Sequence, residues 1–203
     1  MRWKAFKYAL PLSLYFLAWR SFTHTGFIVW LPVMFAWFII TLLELFISPD
    51  NNNIDAAEEE MARKDRVYDW LLYLVVPLQY AMLYLFLNSM ADMHLSPADR
   101  VGRVMAMGLL CGVMGINTAH ELGHRVNKTE QLLARSLLLT SLYMHFFIEH
   151  NRGHHKHVGT PDDPSTARLN ESLYMFWFRS ITGVYRKAWT IATAEQLTKE
   201  SRF

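Results

Sequence analysis

Residues Gly26 to Ile47 read GFIVWLPVMFAWFIITLLELFI, twenty-two positions with one ionisable side chain. A helix of that length and composition can cross a hydrocarbon core of ~30 Å. Two further stretches are of the same kind. Tyr68 to Met90, YDWLLYLVVPLQYAMLYLFLNSM, has Asp69 near one end and aromatic residues near both. Val101 to Thr118, VGRVMAMGLLCGVMGINT, is rich in small residues that let helices approach closely. Ala5 to Trp19 is shorter, and Pro11 with the flanking Lys7 and Arg20 makes it a marginal span or one half of a hairpin. No small-residue cleavage site follows it before the next apolar run, so a cleaved signal peptide is the poorer reading. The expected fold is all-α: a polytopic transmembrane helix bundle, with residues 1–203 as a single membrane domain.

Charge sets the orientation and excludes one class of partner. With 20 Lys+Arg against 18 Asp+Glu there is no basic field of the kind nucleic acid binding requires, so no nucleic acid partner is expected. Arg2, Lys4 and Lys7 precede the first apolar stretch, Arg63, Lys64 and Arg66 follow the second, and Arg125, Lys128 and Arg135 follow the fourth. The positive-inside rule places all three groups in the cytoplasm, and the connections 21–25 and 91–100 outside. The acidic run Ala56 to Glu60 reads as a solvated helical face.

The chemistry concentrates on that cytoplasmic side. Seven of the nine histidines fall between residues 120 and 157. In AHELGHRVNK, His120 and His124 are helical i, i+4 neighbours that present two imidazoles to one point. In EHNRGHH, His150 and His154 share a face by the same spacing, with His155 about a quarter turn from its predecessor. If helical throughout, residues 131–149 would span ~28 Å and carry the second group across the membrane. The segment is therefore expected to be re-entrant, interfacial or folded back, so that both groups share one metal site.

Which metal is less constrained. The only cysteine, Cys111, lies in an apolar run, so there is no cysteine cage and no internal disulfide. His120-Glu121-Leu122-Gly123-His124 satisfies the H-E-x-x-H pattern of helical zinc proteases, with Glu121 as the base. Such a site needs only one further ligand, and the extra histidines favour an oxygen-activating iron site; the short string alone occurs in both classes.

Longer stretches settle on a family. NTAHELGHRVNK, MHFFIEHNRGHHKHVGTPDDPSTARLNESLY and LLELFISPDNNNIDAAEEEMARKDRVYDWLLYLVVPLQY closely resemble the bacterial integral-membrane alkane 1-monooxygenases, relatives of the membrane fatty acid desaturases. The resemblance runs through nearly the whole chain. It implies a non-haem di-iron centre that uses O2 to hydroxylate the terminal methyl of n-alkanes to primary alcohols, in the bacterial inner membrane. It also implies electrons from NAD(P)H through a reductase and rubredoxin. The family's first two histidine motifs fall on His120 and His124, and on His150, His154 and His155, which are the implied iron ligands. Its third cluster has no counterpart here, so the chain resembles an N-terminal portion, and these 203 residues alone are expected to be inactive. A desaturase-type enzyme acting on acyl chains is the near alternative, and an intramembrane zinc metalloprotease the distant one.

Around those ligands, Glu121, Glu149, Asp162 and Asp163 are candidates to accept a ligand N–H; Asp163, followed by Pro164, also suits a helix cap. His145 fits the family pattern outside its ligand motif and is expected to support the site. His157 shares the face of His150 but lies beyond the motif, and His24 and His94 fall in the outer connections. Trp30, Met34, Trp37, Thr41 and Glu44 follow one helical face. Because Thr41 and Glu44 are costly to show to lipid, that face is expected to look inward and line a substrate channel. Residues 171–203 read as an interfacial amphipathic helix. From residue 120 onward, 11 Lys+Arg against 8 Asp+Glu would suit either an acidic electron donor or lipid phosphates.

Overall fold

The computed structural model describes residues 6–48 and 55–200, and all of their side chains except those of 6, 57, 58, 63, 199 and 200. Arg2, Lys4, the Arg63 side chain, the start of the first apolar stretch at Ala5 and the last three residues of the tail lie outside the described residues. Every element among the described residues is helical, as the apolar runs require. The chain divides between Thr118 and Ala119 into two compact units.

In the first unit, a 3-10 turn at Phe6–Leu12 containing Pro11 leads into α1, Ser13–Thr23. An extended connection at His24 and Thr25 turns the chain into α2, Gly26–Phe46. The first apolar stretch is thus one arm of a helical hairpin, closed where Ser21 Oγ donates to the Val29 carbonyl at 2.8 Å. The short α3, Ala56–Lys64, precedes α4, Val67–Met90, and then comes α5, Pro97–Gly123. α2, α4 and α5 are each long and apolar enough to cross a membrane. The start of α5 is fixed by its sequence. Ser96 Oγ accepts from Asp99 N–H, Pro97 follows at the first helical position, and Asp99 Oδ1 accepts from Gly26 N–H at 2.8 Å.

The core of this unit joins Leu14, Ala18, Phe22, Val29, Val33, Val75, Met82, Ala106 and Leu110. One polar chain runs through it: Tyr15 Oη donates to Gln79 Oε1 at 2.9 Å, and Gln79 Nε2 reaches Cys111 Sγ at 3.6 Å. Gln79 is completely buried, so the partners it finds are what make it tolerable there.

The expected inward face of α2 is not continuous. Trp30 and Met34 are half-buried, but Trp37, Thr41 and Glu44 are exposed. Two physical reasons account for this. A π turn at Phe35–Ile39 breaks the i, i+4 register, and the Thr41 hydroxyl donates to the Trp37 carbonyl at 2.9 Å, leaving no unmet polar group to hide. Trp37 does border a groove of about 270 Å³ with Val33, Met105, Leu109 and Val113.

In the second unit, the last turn of α5 is followed by α6, Lys128–Leu139. Asn127 Oδ1 caps α6 by accepting from Thr129 N–H, and Arg125 pairs with Glu130 at 2.7 Å, which fixes the tight connection. α6 ends at a turn in which Leu142 takes φ 55°, a left-handed conformation that is costly for leucine. α7, residues 145–157, then runs back, and after a loop at 158–172 comes α8, Leu173–Glu200. The break at 140–144 is the fold-back that the two histidine groups require.

Candidate metal centre

His120 and His124 lie one turn apart at the end of α5, and their Nε2 atoms are 3.0 Å apart. α7 delivers the next imidazole: His150 Nε2 lies 3.2 Å from His124 Nε2. The potential ligand atoms of these three residues all fall within 4.8 Å of one another. His155 adds a fourth, its Nε2 3.1 Å from that of His150.

The pairing of His150 with His155 departs from the α-helical expectation, which placed His154 beside His150. Residues His150–His154 form a π turn, in which His155 N–H donates to the His150 carbonyl. An i, i+5 hydrogen bond brings residues five apart into register, so the fifth residue rather than the fourth comes alongside. His154 instead stacks on His150, ring centroids 5.3 Å apart. Its Nδ1 donates to Asp163 Oδ2 at 2.9 Å. A carboxylate only accepts, so that bond puts a proton on Nδ1, and in the neutral ring Nε2 is then the lone pair.

The environment favours the neutral form of two of the rings. Burial, and then the neighbouring histidines, push His150 down to about 4; the same causes lower His124. Phe146 stacks on His150 at 4.7 Å and holds its ring plane. The spacing suits a cation. Imidazole bonds of ~2.1 Å to one first-row metal ion set neighbouring nitrogens ~3.0 Å apart at right angles and ~3.4 Å apart in a tetrahedron. The observed separations of 3.0, 3.1 and 3.2 Å fall in that interval.

The other candidates sort by position. Asp163 is buried in a turn, where Oδ1 accepts from Ser165 N–H at 3.0 Å and Oδ2 from Thr166 Oγ1 at 2.5 Å. No helix begins there, so the cap reading of Asp163 is corrected: its carboxylate serves the turn and His154. The Asp162 side chain is exposed, and its carbonyl accepts from Lys187 Nζ at 2.8 Å. Glu121 is exposed and lies 3.7 Å from Arg125. Glu149 is 1% exposed, its carboxyl raised by burial, with Lys187 3.7 Å away. It lies over Gly153, where an added Cβ would come within 2.5 Å of Glu149 Oε1. His145 sits edge-on to Tyr143 and Tyr185, at 4.6 and 5.2 Å, and burial lowers its pKa. It borders a cavity of about 680 Å³ with Phe147, Ile148 and Trp189. His157 stays outside the histidine group; its carbonyl accepts from Thr160.

Residues that sequence reasoning passed over are Thr166, Glu171, Arg179 and Lys187, which bind the 158–172 loop. The signal for them was faint. Glu171 and Arg179 are eight apart across a helix start, a spacing without meaning until the loop's path is known.

The matching families fit this geometry. The fatty acid desaturase family model matches residues 101–202, half of the chain, and takes in all five clustered histidines. The chain belongs to the fatty acid desaturase family. Within it, the chain is 34% identical over 169 residues to alkane 1-monooxygenase 1 of Alcanivorax borkumensis, covering 82% of this chain and 42% of that protein. It is 37% identical over 158 residues to alkane 1-monooxygenase of Pseudomonas putida, covering 77% and 39%. With the alkane 1-monooxygenase of Acinetobacter baylyi it shares 32% over 165 residues, covering 81% and 40%. The chain thus spans about four-tenths of the length of these relatives.

Proposed function

We propose that the chain is part of an alkane 1-monooxygenase, which hydroxylates the terminal methyl of n-alkanes with O2 at a histidine-ligated non-haem iron centre. The observation that carries this reading is the convergence of imidazoles from His120, His124, His150 and His155, in a chain whose relatives bear that name. His154 completes the ligand set through its Nε2. Five imidazoles without a thiolate suit iron, and iron bound there supplies the oxidising power to break an unactivated C–H bond. One oxygen atom enters the alkane and the other leaves as water, which consumes two electrons and two protons. These 203 residues seat one iron; the second iron of the family's centre requires further ligands.

The remaining roles follow from the protein's own groups. Low ring pKa values keep the lone pairs of His124 and His150 available at neutral pH. Phe146, stacked on His150, covers that ring, while His124 and His155 are open to the surroundings. Alkane reaches it from the bilayer, and Trp37, at the groove it shares with α5, limits the chain length admitted. Rubredoxin and its NAD(P)H-dependent reductase supply the electrons, from the cytoplasmic side of a bacterial inner membrane. An acyl-chain desaturase would use the same centre. The number of clustered imidazoles counts against the zinc protease, which needs only three protein ligands.

Metal analysis joined to turnover tests the proposal. The chain purified without added metal should retain iron, and the whole protein should place ¹⁸O from labelled O2 in a 1-alkanol. Zinc retention with peptide cleavage, and no O2-dependent product, would overturn it.

A further inference from the structure

We propose that Arg179 is a positioning residue for the metal centre, fixing the ring of His154 through the loop that carries Asp163. This rests on the reading of His154 as a ligand. Arg179 lies on α8, and its guanidinium is occupied by the loop. Nε and Nη2 donate to the two Glu171 carboxylate oxygens, each at 2.6 Å. Nη2 also donates to the Thr166 carbonyl at 2.9 Å, and Nη1 to the Pro164 carbonyl at 3.1 Å. The pinned carbonyls belong to the turn in which Asp163 holds His154 Nδ1.

The same face of α8 seats the loop at two more points. One turn on, Gly183 makes room for the loop: a Cβ there would stand 2.7 Å from Pro164 Cβ. A further turn on, Lys187 Nζ donates to the Asp162 carbonyl at 2.8 Å. Positions 179, 183 and 187 recur at the helical i, i+4, i+8 spacing, so α8 presents one strip to residues 162–171. Arginine is required at the first of them. Its planar fork spreads donors over a carboxylate and two carbonyls at once, which a lysine ammonium at the end of a flexible stem cannot reproduce. If the loop shifts, Asp163 leaves Nδ1, and His154 is free to move its proton to Nε2, the nitrogen the metal needs.

The test reads the proton directly. In detergent-solubilised, metal-free protein with ¹⁵N-labelled histidine, long-range ¹H–¹⁵N correlation reports each ring's tautomer, with His154 assigned by its loss in His154→Asn. Wild type should show His154 protonated at Nδ1. Arg179→Lys and the isosteric Glu171→Gln should each introduce the Nε2–H form, leave the other ring signals in place, and weaken Co²⁺ or Fe²⁺ binding about tenfold. Circular dichroism checks folding, and Glu171→Gln decides the matter if Arg179→Lys misfolds. His154 remaining Nδ1–H in the folded variants, or metal affinity unchanged, overturns the proposal. If wild type binds no iron, the metal-centre reading fails, while the tautomer still decides whether Arg179 sets the ring.

Discussion

A carboxylate that stays charged in strong acid remains a partner after most others have let go. Glu171 is such a group, held down to about 2 by its hydrogen bonds from Arg179. Because the folded value is depressed, its contribution to stability is complete above the ordinary value of 4.5 and is lost as pH falls through about 2. Glu171→Gln should therefore lower the thermal unfolding midpoint by an amount that is constant between pH 7 and 5 and shrinks below 4.5. A difference that grows in acid would contradict this sign. Single residues also mark where reading the sequence stopped. The histidines were legible because their side chains carry the chemistry whatever the tertiary fold does. Asp163 was legible as one of four candidates to accept a ligand N–H, but which ring it meets was not, because His154 reaches it only through the course of the 158–172 loop.

Elements were legible as far as their periodicity was regular. The apolar runs specified membrane-crossing helices without tertiary information, and the crossing-length argument required the break between α6 and α7 that Leu142 provides. The π turns were not legible, because an extra residue in a helical turn changes no composition and leaves both flanks helical. They matter most in α7. Deleting Asn151 should convert the turn at His150–His154 to α geometry and leave His155 four residues after His150, still alongside it. Helicity and the metal-to-protein ratio, measured by elemental analysis, should both persist; a several-fold fall in the ratio would show that the centre depends on the π turn itself. In the first unit, Gln79→Leu removes the acceptor of the Tyr15 hydroxyl between α1 and α4. Leaving that hydroxyl unpaired should cost about 1–3 kcal/mol, measured by unfolding in mixed micelles.

The charge pattern of the whole chain makes a claim about sidedness that labelling can check. In a Cys111→Ser background, a cysteine at Lys128 should react with a membrane-impermeant maleimide only after the inner face is opened, and one at His94 should react in intact cells. Reaction of both from the same side would reverse or refute the orientation. The relatives named alkane 1-monooxygenase are more than twice as long as the stretch they share with this chain, yet that stretch already contains a set of nitrogens spaced for an ion. That spacing has a practical consequence for anyone handling the protein. Nickel, copper and zinc all outcompete ferrous iron for imidazole. An immobilised-nickel column would then be expected to hold the untagged chain, and to return it loaded with the wrong metal. Metal analysis of preparations made that way would report the resin rather than the ion the site takes in the cell.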